Sequence, residues 1–141
     1  MTDDKAAAWR EQRREAAAAH GEMLAGRQRA ESAQAQELID AFLRRARTSG
    51  PTPEPLAARS YDGRARYRTP LTGWYLRRDE TVAIDTDGRF YVLTTPSSLA
   101  ARFRGVTPEP SAPPLVIGAG GKDGESLDMS EALARVLGRP G

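Results

Sequence analysis

The stretch 72-TGWYLRRDETVAIDTDGRFYVL-93 decides the fold. It holds three short runs, 73–78, 81–85 and 89–94 when carried one residue further, rich in aromatic and β-branched residues. Such residues suit a pleated, half-buried surface. Asp79-Glu80 makes one turn between the runs and Asp87-Gly88 makes the other. An Asp-Gly pair between alternating apolar runs is a strong hairpin signal, because both turn residues must tolerate positive φ. Phe90 and Val92 then face opposite to Tyr91 and Leu93. Upstream, 64–69 alternates as well: Arg64, Arg66 and Arg68 share one face, and Ala65 and Tyr67 the other. The pattern predicts an antiparallel β-meander.

Further toward the N-terminus the period changes. Residues 3–48 are dominated by Ala, Glu, Gln and Arg, which favour helix. Asp3 and Asp4 complement the positive end of the helix dipole, and Arg44, Arg45 and Arg47 the negative end, before Ser49-Gly50-Pro51 stops the helix. Gly21 and Gly26 are its possible breaks. Leu38, Ile39, Phe42, Leu43 and Ala46 form one apolar face for packing on a domain. Trp9, Ala16, Met23 and Ala30 recur every seven residues, the spacing of a coiled-coil seam, with mostly polar or glycine partners at the second heptad position.

After the meander, Thr95 is the expected cap of a short helix with Pro96 at its first position. Leu99, Ala100 and Phe103 are its expected buried face, and Gly105 its stop. Leu115 to Ile117 reads as a short strand, followed by a glycine-rich loop over 118–126. Asp128 and Glu131 have capping-box spacing at the start of a last helix carrying Leu133, Val136 and Leu137. Two proline-rich tracts, 51–58 and 106–114, read as connectors. The fold class is therefore α+β: a long N-terminal helix, a small antiparallel β-meander and short C-terminal helices. Residues 1–36 read as a helical extension and 37–141 as the α+β domain.

Composition bounds the function. The chain has 141 residues and no cysteine, so disulfide scaffolds, cysteine nucleophiles and thiolate metal sites are excluded. A single histidine, His20, leaves little room for histidine-based metal or acid–base chemistry, and no metal or cofactor is expected. Of the large core-forming residues Leu, Ile, Val and Phe, only Leu24 lies in the first 36 positions. The formal net charge is +2, and the basic excess gathers in 51–78, with six arginines against two acidic residues. Acids precede any apolar run at the N-terminus, unlike a secretory signal. No 18-residue apolar run is present, so no membrane association is expected, and the cytoplasm is the expected location.

Three places could carry function. On the long helix, Trp9 and Met23 are apolar residues with no domain to cover them, which suits a protein partner or a second copy. On the meander, Arg64, Arg66, Arg68, Arg77 and Arg78 interleave with Tyr67 and Trp74. Arginines along a phosphate backbone and aromatics under bases are how β-surfaces hold single-stranded nucleic acid, although the same aromatics can serve as core. In the loop, Gly118, Gly120, Gly121, Lys122 and Ser126 suit a phosphate cradle, but the spacing is not that of a P-loop and Asp123 and Glu125 would repel the ligand. No pair of carboxylates is marked for acid–base work, and no enzyme activity is expected.

The string TGWYLRRDETVAIDTDGRFYVL, followed by GVTPEPSAPPLVIGAGGKDGESLDM, resembles a group of small conserved proteins of unassigned function from high-GC actinobacteria. That resemblance implies a bacterial cytoplasmic setting and brings no catalytic residues. The sequence thus points to a non-enzymatic interaction or adaptor protein working through its long helix. Nucleic-acid binding on the Arg/aromatic face is the alternative, and ligand binding at 118–126 a further one.

Overall fold

A computed structural model describes residues 2–118 and 126–139. Helix α1 spans Thr2–Ser49 without a break at Gly21 or Gly26. At 1.5 Å per residue it is about 72 Å long. Only its last third is buried, through Ala35, Ile39, Phe42, Leu43 and Ala46.

Five strands follow: β1 (Glu54–Ser60), β2 (Arg66–Tyr75), β3 (Val82–Asp85), β4 (Phe90–Val92) and β5 (Thr94–Thr95). The order is β4-β3-β2-β1-β5, antiparallel except that β5 runs parallel to β1. The two edge segments, β4 and β5, are consecutive in the chain and separated only by Leu93. The Leu93 N–H donates to Thr81 O on the β3 side (2.7 Å), while Leu93 O accepts from Arg59 N in β1 (2.7 Å). One continuous stretch thus pairs with both ends of the sheet, and the sheet closes into a small barrel without free edges there.

Closure sorts the side chains by parity. Leu56, Tyr75, Ala83, Tyr91 and Leu93 fill the inside, with Leu71 packed against them. Trp74, Val82, Ile84 and Phe90 point outward and are covered by α1 and by α3 (Met129–Leu137), which brings Met129, Ala132, Leu133 and Val136. The Trp74 ring meets Phe42 edge-on, with centroids 5.1 Å apart at 85°, and its indole N–H donates to Pro51 O at 2.9 Å. The remaining elements are α2 (Leu99–Arg104) and a two-stranded pair, β6 (Val116–Ile117) with β7 (Leu127–Asp128).

The β3–β4 hairpin forms at Asp87-Gly88, but Gly88 alone takes positive φ and Asp87 does not, so the loop runs from Asp85 to Arg89 instead of closing as a two-residue turn. Asp85 Oδ1 accepts from Asp87 N (3.0 Å) and Arg89 N (2.9 Å), and its Oδ2 accepts from the Tyr91 hydroxyl (2.9 Å). Gly88 has φ +85° and a Cβ there would lie 2.8 Å from Leu43 Cδ1, so glycine serves both the turn and the seat of α1.

Several expectations change. The tract 51–58 is not merely a connector: most of it is β1. Pro55 is accommodated because the β1–β2 register shifts between Pro55 and Ala57, and Ala57 N donates to the Tyr75 hydroxyl instead (2.8 Å). The separate strands expected at 64–69 and 73–78 are one ten-residue strand, β2, with Pro70 opposite that same irregularity. Thr95 does not cap α2, because it is held in β5; Ser98 is the cap, accepting from Ala101 N at 3.2 Å. None of α2 is buried, and Leu99 and Phe103 are 73% and 76% exposed. The helix is tethered by Arg68, whose guanidinium donates to Phe103 O (2.9 Å) and whose carbonyl accepts from Val106 N (2.7 Å). An i, i+4 spacing says which side chains share a face, not which way the face points. Asp128 occupies the cap position of α3 without a side-chain cap bond, so the capping box does not form.

Candidate functional site

The first candidate is the projecting part of α1. Among the described residues, the first side chain of α1 with a bond to the domain is Glu31, whose Oε1 accepts from Leu115 N at 3.0 Å. Residues 2–30 extend beyond that point for about 43 Å. Trp9 and Met23 are each 58% exposed there. The Arg13 guanidinium stacks over the Trp9 ring at 4.7 Å, a cation–π contact that partly orders the indole.

Heptad letters set on Trp9 as a place Ala16, Met23 and Ala30 at the following a positions. Glu15, Glu22 and Arg29 then fall at g, and Arg13, His20 and Arg27 at e. In the same frame the buried Ala35, Ile39, Phe42 and Ala46 occupy f and c, with Leu43 at the adjoining g. At 100° per residue, Met23 lies about 140° and Trp9 about 100° around the helix from the centre of that buried face, so the a positions lie off the domain's side of the helix, Met23 more squarely than Trp9.

The second candidate, the Arg/aromatic face, is taken apart by the fold. Trp74 and Tyr67 are buried, so neither presents a ring for stacking. The Tyr67 hydroxyl accepts from Ser98 N at 3.0 Å. Glu80 binds both Arg59 (2.7 Å) and Arg66 (3.5 Å), from a turn where its own φ is +61°. Arg68 is committed to Phe103 O (2.9 Å), and Arg77 to Asp79 (3.4 Å) and Gly118 O (3.2 Å). Arg64 and Arg78 remain exposed. The alternation of the sequence was right about facing, but neither face is free: Tyr67 turns into the barrel and Trp74 lies under α1, so neither ring is a platform.

In the third candidate, Gly118 has φ +39° and Ser126 is exposed. Gly120, Gly121 and Lys122 lie outside the described residues. Among the described residues no cluster of three or more His, Cys, Asp or Glu gathers for a metal, and no helix is long and apolar enough to cross a membrane.

No family model, curated protein or solved structure matches this chain.

One feature escaped sequence reading. A cleft of about 350 Å³ opens between the β1–β2 turn and the start of α2. Arg64 and Arg102 line it together with Tyr67, Ser97 and Ser98, and with Leu99 and Ala65 as apolar lining. Asp62 also reaches it, but its Oδ1 accepts from the Ser60 hydroxyl (2.5 Å) and from Arg64 N (2.9 Å). Those two bonds, the hydroxyl first, hold the Asp62 carboxyl below its ordinary pKa, so it is ionised and turned into its own loop. No motif spacing marks this cleft, because its two arginines come from separate elements far apart in the chain.

Proposed function

We propose that the protein is a non-enzymatic, cytoplasmic interaction protein that uses the projecting part of α1 to bind a second copy of itself. The observation that carries this reading is the orientation of the seam. Met23, and less squarely Trp9, point away from the face of α1 that the domain holds, and both are more than half exposed along the projecting arm.

Charge favours a parallel pair. In a parallel two-stranded coil, g residues meet e residues five positions on in the partner. Glu15 then faces the partner's His20, and Glu22 faces the partner's Arg27. An antiparallel pair aligned on the same arm would set Arg13 against Arg27 and Glu22 against Glu22, with only Glu15 and Arg29 complementary. The seam has small residues between two bulky ones, so the association is weak and concentration-dependent.

Sedimentation equilibrium of the full chain tests this. The expected mass rises from 15.3 kDa toward twice that value with concentration, and Trp9→Ala shifts the midpoint to higher concentration. Glu22→Arg weakens the pair, and adding Arg27→Glu restores it. Because the chain has no cysteine, Ala30→Cys provides a single thiol, and oxidation should link it to its own equivalent in a parallel pair. A monomer at about 0.1 mM, a concentration where even weak specific pairs form, refutes self-association.

A further inference from the structure

We propose that the cleft between the β1–β2 turn and α2, lined by both Arg64 and Arg102, binds a small organic oxyanion: a phosphate monoester or carboxylate joined to an apolar body.

The cleft is rich in donors and poor in acceptors. Among the described residues, neither the Arg64 nor the Arg102 guanidinium has a hydrogen-bond or ion-pair partner, unlike Arg59, Arg66 and Arg68. The Tyr67 hydroxyl accepts the Ser98 N–H and keeps its own proton for another acceptor. Ser97 adds a second hydroxyl. The single carboxylate, Asp62, is engaged by Ser60 and by the backbone of Arg64. Asp62 thereby fixes the turn that presents Arg64, and the cleft keeps a net charge of +1 from its two arginines and one aspartate.

Guanidinium forks match the two-oxygen edge of a phosphate or carboxylate. Two forks lining one cleft from separate elements would share one oxyanion, with the Tyr67 and Ser97 hydroxyls as further donors. The volume of about 350 Å³ is many times the roughly 30 Å³ that a water molecule occupies. It therefore has room for more than the anionic head, and Leu99 and Ala65 offer the apolar wall for the rest. A ligand held this way also ties α2 to the barrel, which α2's own exposed Leu99 and Phe103 do not do.

Calorimetric titration of the full chain with phenyl phosphate, benzoate and inorganic phosphate tests the assignment. Saturable binding of phenyl phosphate is expected, weakened about tenfold or more by Arg64→Gln and by Arg102→Gln, as loss of a charged hydrogen-bonding pair requires. Both side chains lie outside the core, so circular dichroism of the variants should match the parent. Preference for phenyl phosphate identifies the head group as phosphate, and preference for benzoate identifies it as carboxylate; either supports the site. Three results overturn it: no saturable binding of either aromatic probe at about 10 mM, binding that survives both substitutions, or inorganic phosphate binding as tightly as phenyl phosphate.

Discussion

Replacing Trp74 with Phe separates the two roles open to this ring. In the structure it is core: buried, edge-on to Phe42 at 5.1 Å, with its N–H given to Pro51 O at 2.9 Å. Phenylalanine keeps an aromatic edge for Phe42 but abandons the Pro51 carbonyl, at a cost of about 1 kcal/mol. The missing ring removes buried area and leaves a partial cavity, adding about 1–2 kcal/mol. The expected loss is about 2–3 kcal/mol, or roughly 8–20 °C in melting temperature for a domain of this size. Urea unfolding followed by circular dichroism should show a lower midpoint with an unchanged slope. Trp9→Phe is the internal control and should stay within about 0.5 kcal/mol, because Trp9 lies on an exposed helix face. In that control the remaining emission comes from Trp74 and should resist iodide quenching. A loss below about 0.5 kcal/mol for Trp74→Phe, or an equal loss in both variants, would refute the assignment of Trp74 to the core and reopen its use as a stacking surface.

Two further outcomes follow from the barrel. Gly73 sits opposite Asp85, where an added Cβ would run into the Ile84 carbonyl and lie 2.7 Å from Asp85 Cα. Gly73→Ala should therefore cost about 3 kcal/mol or more, read by the same urea unfolding. Burial raises the pKa of Tyr75, and burial followed by the hydrogen bond to Asp85 raises that of Tyr91, both above the ordinary 10.0. The folded state thus holds these protons more tightly than the unfolded chain. Their contribution is complete below about pH 10 and is lost as pH rises through the folded values. Urea midpoints measured upward from about pH 9 should fall, and less steeply in Tyr75→Phe.

The meander was legible because its information is local. Asp85, Asp87 and Gly88 build a hairpin from neighbours in sequence, and alternation around it assigns the faces. The continuous helix was legible from composition, and its gripping face from Leu38 to Ala46. Barrel closure was not, because it depends on the parallel pairing of Arg59 and Ser60 with Thr94 and Thr95, two residues on each side and remote in sequence. The prolines at 51, 53 and 55 concealed β1, since the bulge that tolerates Pro55 is a property of the pair and not of the strand. The same closure explains the fate of the candidate sites. It turns Tyr67 inward and covers the outer Trp74 with α1, while bringing Arg64 and Arg102 to one cleft. The exposed Trp9 and Met23 were legible for a simpler reason: of Leu, Ile, Val and Phe, only Leu24 lies in the first 36 residues, too few to bury them locally.

The helix carries two faces in one register, and that register makes the pairing proposal vulnerable to a single deletion. The domain holds positions c and f through Ala35, Ile39, Phe42 and Ala46, while the seam runs along a through Trp9 and Met23. Removing Ala33, between the last seam residue and the first buried one, rotates the arm by about 100° relative to the domain. The seam then turns toward the side on which the domain sits. Every seam side chain and every flanking charge is still present, yet a parallel pair would now force two domains into the space between the helices. Association should weaken by sedimentation equilibrium, while the melting of the domain should fall only by the loss of the Glu31–Leu115 bond, about 1 kcal/mol, because the buried face begins at Ala35. Inserting seven residues at the same point moves the arm by close to two full turns and restores the facing, so that variant should pair about as well as the parent. Equal association in the deletion and the insertion would mean that the orientation of the seam does not matter, and the pairing proposed from it would fall.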